Sequence, residues 1–307
     1  MPSLSSIILK LHLRFLKPFI RFADVETSRK AQDKLGKLGA KAHQSDVAFY
    51  DVQFDNFSAC FATPKGCVKP KEHVVLYLHG GAYTAGSLDY ARGFGSVVAS
   101  STTLNVFCVA YRLAPEHMFP AALDDVLCAY DYLLASGFKP EHIAFAGESA
   151  GGGLVYCLAL KLKQLKRPLP AALVGISPWT DLTLSGASYL NNVLRDPTLS
   201  RSAIIDDAIM YAEGRRRNPF VSPIFGELDG LPPSLIFVGG SEILLDDAKT
   251  LANKLEEYGN RCELIISPGM WHVYPLFGTP EARAAIKRMT EFLQEAILGD
   301  DREDIKR

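Results

Sequence analysis

"IAFAGESAGGGLVYCLALKLKQL", residues 143–165, decides how the chain is built. A short apolar, β-rich run crosses a glycine-rich hinge and continues as a long helical pattern. A buried strand therefore turns into a helix within a few residues. Inside the hinge, Gly147-Glu148-Ser149-Ala150-Gly151 has the spacing GxSxG. Small residues around the serine permit a strained turn that lifts its hydroxyl clear of the sheet edge, at a helix N-terminus that favours developing negative charge. GxSxG alone is common, and a glycine-rich turn without chemistry has the same spelling. The rest of the chain has to separate the two.

Around this segment, strand-like and helical patterns alternate from residue 73 onward. "HVVLYLH" (73–79), "NVFCVAYR" (105–112), "IAFAGES" (143–149), "ALVGISPW" (172–179), "SLIFVGG" (234–240) and "CELIISP" (262–268) read as buried strands. Helical spacing falls at 121–135, 150–165, 246–258 and 281–297. Runs apolar on both faces that alternate with helices predict a parallel sheet covered on each side, the α/β class. "VAFYDVQF" (47–54) and "SACFAT" (58–63) are expected to add an antiparallel start. Between "SPWTDLTLSG" (177–186) and "LPPSLIFVGG" lie about 45 residues with helical character and no strong strand. An insertion leaving a strand end is well placed to cover a ligand site, since ligands bind beyond the carboxyl ends of such strands.

Composition narrows the function classes. At 307 residues, 48% hydrophobic and 22% charged, the chain can bury a large core as one α/β domain with an insert. A net charge of −1 recommends neither a nucleic-acid nor an anionic-membrane partner. Six scattered cysteines (60, 67, 108, 128, 157 and 262) show no metal spacing and read as buried free thiols of a cytoplasmic protein. The N-terminal stretch has Lys10, His12, Arg14, Lys17 and Arg21 and no acid before Asp24, too charged for a membrane span of about 20 apolar residues. Leu4, Ile7, Ile8, Leu11 and Phe15 share one helical face, which predicts an amphipathic helix docked on the body or covering a pocket. A membrane-surface or targeting segment is the alternative.

A second motif lies 70 residues upstream of the serine. "LYLHGGAYTAG" (76–86) sets His79-Gly80-Gly81-Ala82 directly after a strand. Carbonyl addition creates an oxyanion, and stabilising it needs backbone N–H groups unobstructed by side chains. Gly80, Gly81 and Ala82 are expected to supply them from one side, and Ala150 from the other. His79 ends a strand and is assigned a structural role.

With both motifs in place, the chain resembles the hormone-sensitive-lipase-like branch of the α/β-hydrolases. "YRLAPEHMFPAALDD" (111–125), "SPWTDLTLSG" and "WHVYPLF" (271–277) strengthen the likeness, which covers roughly residues 70 to 295. The resemblance implies an α/β-hydrolase fold with an eight-stranded, mostly parallel sheet and a helical cap. It also implies serine-based ester hydrolysis with no cofactor or metal, and leaves homodimerisation open. The implied organisation is cap helices at 1–45, core at 46–184, a cap insertion at 185–225 and core again at 226–307. The family usually reads HGGG where this chain has Ala82, which bears on rate and substrate choice. Arg112, Glu116, His117 and Asp125 are expected to form a buried polar network beside the site.

Family order is serine, acid, histidine, and His272 is the one histidine downstream of Ser149. It would take the Ser149 proton and return it to the leaving alcohol. "GGSEILLDDA" (239–248) offers Glu242, Asp246 and Asp247 as the acid. The family pattern aligns its catalytic acid with Glu242, while Asp246 remains the second candidate. An aspartate at the junction with the next helix reads as an N-cap. The expected activity is hydrolysis of short- to medium-chain acyl esters through an acyl-enzyme. A deacetylase or amidase acting on an acylated small molecule would use the same residues. From a different class, a non-catalytic ligand receptor on this fold typically loses the histidine, which is present here at 272.

Overall fold

The computed structural model describes residues 2–21, 24–66 and 72–298, so Cys67 lies outside the described residues. Two helices, α1 (Leu4–Arg21) and α2 (Val25–Ala42), precede the sheet. β1 (Val47–Gln53) and β2 (Ser58–Pro64) pair antiparallel, and β2 pairs antiparallel with β4 (Asn105–Ala110). From β4 onward the sheet is parallel through β3 (Val74–Leu78), β5 (Ile143–Glu148), β6 (Ala172–Ile176), β7 (Ser234–Gly239) and β8 (Cys262–Ser267). The order is β1-β2-β4-β3-β5-β6-β7-β8, eight strands in one sheet. The strand-like runs of the sequence and the antiparallel start all appear in it.

Side chains alternate across the sheet and split the core in two. On one face Val74, Leu76 and Leu78 of β3 join α4 (Ala121–Ala135), α5 (Ala150–Gln164) and α8 (Leu245–Glu257). On the other, Val75 and Tyr77 meet α3 (Leu88–Thr102) and α9 (Pro280–Leu298). That period of two, inside runs buried on both faces, is why these segments read as apolar throughout. α3 is rich in glycine, serine and β-branched residues, which disfavour a helix in isolation. Close backbone packing compensates: a Cβ on Gly93 would lie 2.7 Å from the Gly36 Cα of α2, so the two helices cross at glycines. The insertion between β6 and β7 holds the short α6 (Ser188–Asn191), α7 (Arg201–Ala212) and a 3₁₀ turn at Pro223–Phe225.

The structure departs from four expectations. The stripe Leu4, Ile7, Ile8, Leu11 and Phe15 is exposed, and α1 docks by its opposite face. Beneath α1 lie loop carbonyls and the Glu281 carboxylate, which require the donors Ser3, Ser6, Lys10 and Lys17 rather than leucine. Asp246 and Asp247 occupy the first turn of α8, whose N-cap is Leu244 without a side-chain bond. Their carboxylates instead receive N–H groups from the β6–α6 connection: Asp247 holds Thr180 and Asp181, and Asp246 holds Ser188. The predicted 112–125 network reduces to the Arg112–Asp125 pair; Glu116 faces solvent against Arg29, and His117 is exposed. Of the described cysteines, all free, Cys128 is exposed and Cys262 half-buried, while Cys60, Cys108 and Cys157 are buried. No helix among the described residues is long and apolar enough to cross a membrane.

Candidate active site

Ser149 stands between β5 and α5 with φ 54° and ψ −122°, a conformation that costs a non-glycine residue energy. The neighbouring backbone enforces it. A Cβ on Gly151 would lie 2.1 Å from the Leu78 carbonyl oxygen, and one on Gly147 would lie 2.5 Å from the Gly151 oxygen. Only glycine admits that approach. The Ser149 N–H donates to the Ile176 carbonyl at 2.9 Å, and its own carbonyl accepts from Gly153 and Trp179. The turn is thus tied to β6 while the side chain stays half-buried at the strand's carboxyl end.

The loop after β3 brings backbone N–H groups to the same end. Gly81, Ala82 and Tyr83 all have positive φ, 111°, 55° and 65°. Ala82 therefore adopts the left-handed conformation that explains a glycine preference at this position. The Gly81, Ala82 and Ala150 N–H groups meet no acceptor among the described residues. Gly80 differs from expectation: its N–H donates to Glu148 Oε1 at 2.7 Å, so it is not available to a ligand. Glu148 is wholly buried, and a buried carboxylate needs donors. It also receives the Tyr77 hydroxyl at 2.6 Å. Burial raises its pKa to about 7 against those bonds. His79 is buried against Tyr111 with Nδ1 2.6 Å from the Gly80 oxygen, and burial lowers its pKa to about 4. It is a neutral brace for the loop.

Glu242 and His272 meet beyond β7 and β8. His272 Nδ1 lies 2.7 Å from Glu242 Oε2, with Glu242 fully buried and His272 5% exposed. Toward an ionised carboxylate this bond puts the imidazole proton on Nδ1 and leaves Nε2 as the working nitrogen. Glu242 Oε1 receives the Gly239 N–H at 2.7 Å and the Ser177 hydroxyl at 2.9 Å. Burial raises the Glu242 pKa, and the His272 bond opposes that rise. Ser177 also accepts the Val273 N–H at 3.0 Å, so one hydroxyl ties the acid to the histidine loop. Ser177 and Glu148 were missed as contributors in the sequence, although both lie in stretches that stood out there. Their signal is a polar residue at the carboxyl end of a buried strand. Asp246 does not reach the histidine; it holds α6.

Ser149 and His272 line one cavity of about 530 Å³ with Gly81, Ala82 and Trp179. The imidazole bonds Glu242 and not the Ser149 hydroxyl, and a base-to-nucleophile bond commonly tightens only in the substrate complex. The start of α2 and the inner side of α7 close the cavity, so the N-terminal pair covers it through α2. Its wall carries Asp24, Glu148, Asp206 and Asp207 and, among the described residues, no lysine or arginine. Asp207 receives the Thr84 hydroxyl at 2.9 Å, and burial raises its pKa to about 7.

A nucleophile-type turn after the central strand, with carboxylate and imidazole two and three strands along, defines the α/β-hydrolase class. The chain belongs to the α/β-hydrolase family, in its hormone-sensitive-lipase-like branch: the sequence profile of the α/β-hydrolase fold matches residues 75–276. An esterase of Acinetobacter venetianus is 39% identical over 223 residues, 71% of this chain and 74% of its own. An acetyl-hydrolase of Streptomyces hygroscopicus is 36% identical over 283 residues, 90% of this chain and 92% of its own. The crystal structure of an esterase from the bacterial hormone-sensitive lipase family superposes with a TM-score of 0.87 at 33% identity, covering 97% of this chain and all of the other.

Two outcomes follow from this geometry. Glu242→Gln should lower turnover by about 10²–10⁴-fold while Asp246→Asn stays within about tenfold, at matched thermal stability; steady-state kinetics decides, and the reverse ranking makes Asp246 the acid. Glu148 has a folded pKa of about 7 against an unfolded value of 4.5, so its contribution to stability is fully present below pH 4.5 and lost as pH rises through about 7. That loss is on the order of 3 kcal/mol, and glutamine does not ionise. The melting temperature of wild type minus that of Glu148→Gln should therefore fall across this window and level off above it. A pH-independent difference contradicts the buried-carboxylate assignment.

Proposed function

We propose that this chain is a serine carboxylesterase acting on short- to medium-chain acyl esters through an acyl-enzyme. The observation that carries the reading is the buried Glu242–His272 pair at 2.7 Å, opening on the cavity that Ser149 lines. Ser149 Oγ attacks the ester carbonyl carbon while His272 Nε2 takes its proton. The tetrahedral oxyanion lies against the N–H groups of Gly81, Ala82 and Ala150. Collapse breaks the bond to the alcohol, which leaves with the proton from His272. Water, deprotonated by the same nitrogen, then attacks the acyl carbon and frees the acid. Glu242 keeps the imidazole oriented and stabilises its charged form.

Residues 1–45 and 185–225 act as the cap, since α2 and α7 close the cavity that the core residues open. The acidic wall favours neutral or cationic esters over anionic ones, because a second negative charge in a partly desolvated cavity is repelled. The free thiols fit a cytoplasmic location. Removal of acetyl groups from a small molecule is a second reading, supported by the likeness to the Streptomyces acetyl-hydrolase.

A p-nitrophenyl ester series of increasing acyl length tests the reading. Wild type should prefer the short to middle members, and Ser149→Ala should lose at least about 10³-fold in kcat without unfolding. Retained turnover in that variant would place the nucleophile elsewhere. At pH 8, above the raised pKa of Asp207, the anionic of two size-matched esters should have a kcat/KM lower by about tenfold, and Asp207→Asn should narrow the gap.

A further inference from the structure

α1 rests on the protein by its polar face. Inward, Ser6 donates to Glu281 Oε2 at 2.6 Å, and Lys10 Nζ lies 2.8 Å from both Ser241 Oγ and the Gly269 carbonyl oxygen. Lys17 Nζ reaches the carbonyls of Val193 and Asp196 at 3.0 and 2.6 Å. Leu9 and Leu13 supply the apolar part of this contact. Outward, Leu4, Ile7, Ile8, Leu11 and Phe15 follow one another along the opposite face, 73%, 46%, 47%, 58% and 76% exposed. Scattered apolar residues on a surface are ordinary, but a continuous stripe along a helix marks a contact.

The charges beside the stripe indicate what that contact is. α1 contains no acid; His12 and Arg14 are exposed on its flanks, and Arg14 pairs with no carboxylate among the described residues. A groove of about 220 Å³ runs beside the stripe, with Ile7 and Leu11 giving an apolar wall and Lys10 and Arg14 its positive charge. The outward face of α2 repeats the pattern, with Leu35 and Leu38 exposed between Lys34 and Lys41. We propose that the outward face of α1 docks on an anionic lipid surface, with Ile7, Ile8, Leu11 and Phe15 entering the acyl boundary and Arg14 meeting the phosphate layer. An apolar stripe with cationic flanks is what lies stably in that boundary. A second copy of the chain is the poorer occupant, because a two-fold pairing sets one acid-free cationic helix against another.

The position of α1 gives the docking a use. Its lysine is tied to Ser241 and Gly269, next to Glu242 and three residues from His272, so the helix lies at the same end of the sheet as the cavity. Docking there brings the cavity-bearing end toward ester dissolved in the lipid. The docking itself is independent of the esterase reading.

Co-sedimentation of the full chain with vesicles tests this without any activity measurement. The protein should pellet with phosphatidylcholine vesicles containing about one third phosphatidylglycerol, but not with phosphatidylcholine alone. It should be released at about 1 M salt, where the Debye length is about 3 Å. The exposed-residue variant Leu11→Ser/Phe15→Ser should partition at least about tenfold less, at an unchanged melting temperature. Failure of wild type to pellet with anionic vesicles overturns the proposal, as does equal binding to both vesicle types or by the double variant. A dimer in sedimentation equilibrium that this variant dissociates, with no vesicle binding, would assign the face to a second copy.

Discussion

One steric contact organises the active end of this molecule. The backbone of Gly151, at the start of α5, lies so close to the Leu78 and His79 carbonyls that a Cβ would sit 2.1 and 2.3 Å from them. No side chain fits there, and the contact locks the turn after β5 against the end of β3. Ser149 is thereby held at positive φ, and the 80–85 loop lies beside it. The half-buried hydroxyl and the two sources of unengaged N–H groups are consequences of that approach. Proximity in such a site comes from backbone packing, which leaves the side chains free to be chosen for chemistry.

Around this contact the buried carboxylates divide the work by the donors they receive. Glu148 is held by Gly80 and Tyr77, and so keeps the loop after β3 in place. Glu242 takes Gly239, Ser177 and His272, and so orients the imidazole. Asp247 takes Thr180 and Asp181, Asp246 takes Ser188, and Asp196 takes Ile243, so the insertion after β6 is fastened to the loop that carries Glu242. A buried carboxylate without donors is costly, and one with several becomes a rigid joint. Acids that look interchangeable in the sequence differ in what surrounds them.

The fold was legible because parallel strands covered by helices read as apolar runs, and each was found within three residues of its place, although β8 at the sheet edge is half-buried rather than buried. That Ser149, Glu242 and His272 come to one end of the sheet was legible from their order along the chain and from the motif alignment. What was hidden depends on through-space partners. The N–H of Gly80 points to Glu148, 68 residues away, which no spacing announces. Ser177 acquires its role only when β6 lies beside β7. The apolar stripe of α1 predicts an inward face, but the loop carbonyls and Glu281 beneath the helix select donors instead. α3 escaped notice because its glycines lower helix propensity while allowing close approach to α2.

If the strained turn activates Ser149, a serine-directed electrophile should react there and at no other residue of the folded chain. Fluorophosphonate treatment of the folded chain, followed by peptide mapping by mass spectrometry, tests it most directly. The expected result is a single adduct on Ser149 that heat-unfolded protein does not acquire. An unlabelled folded protein, or an adduct on a different residue, would contradict it.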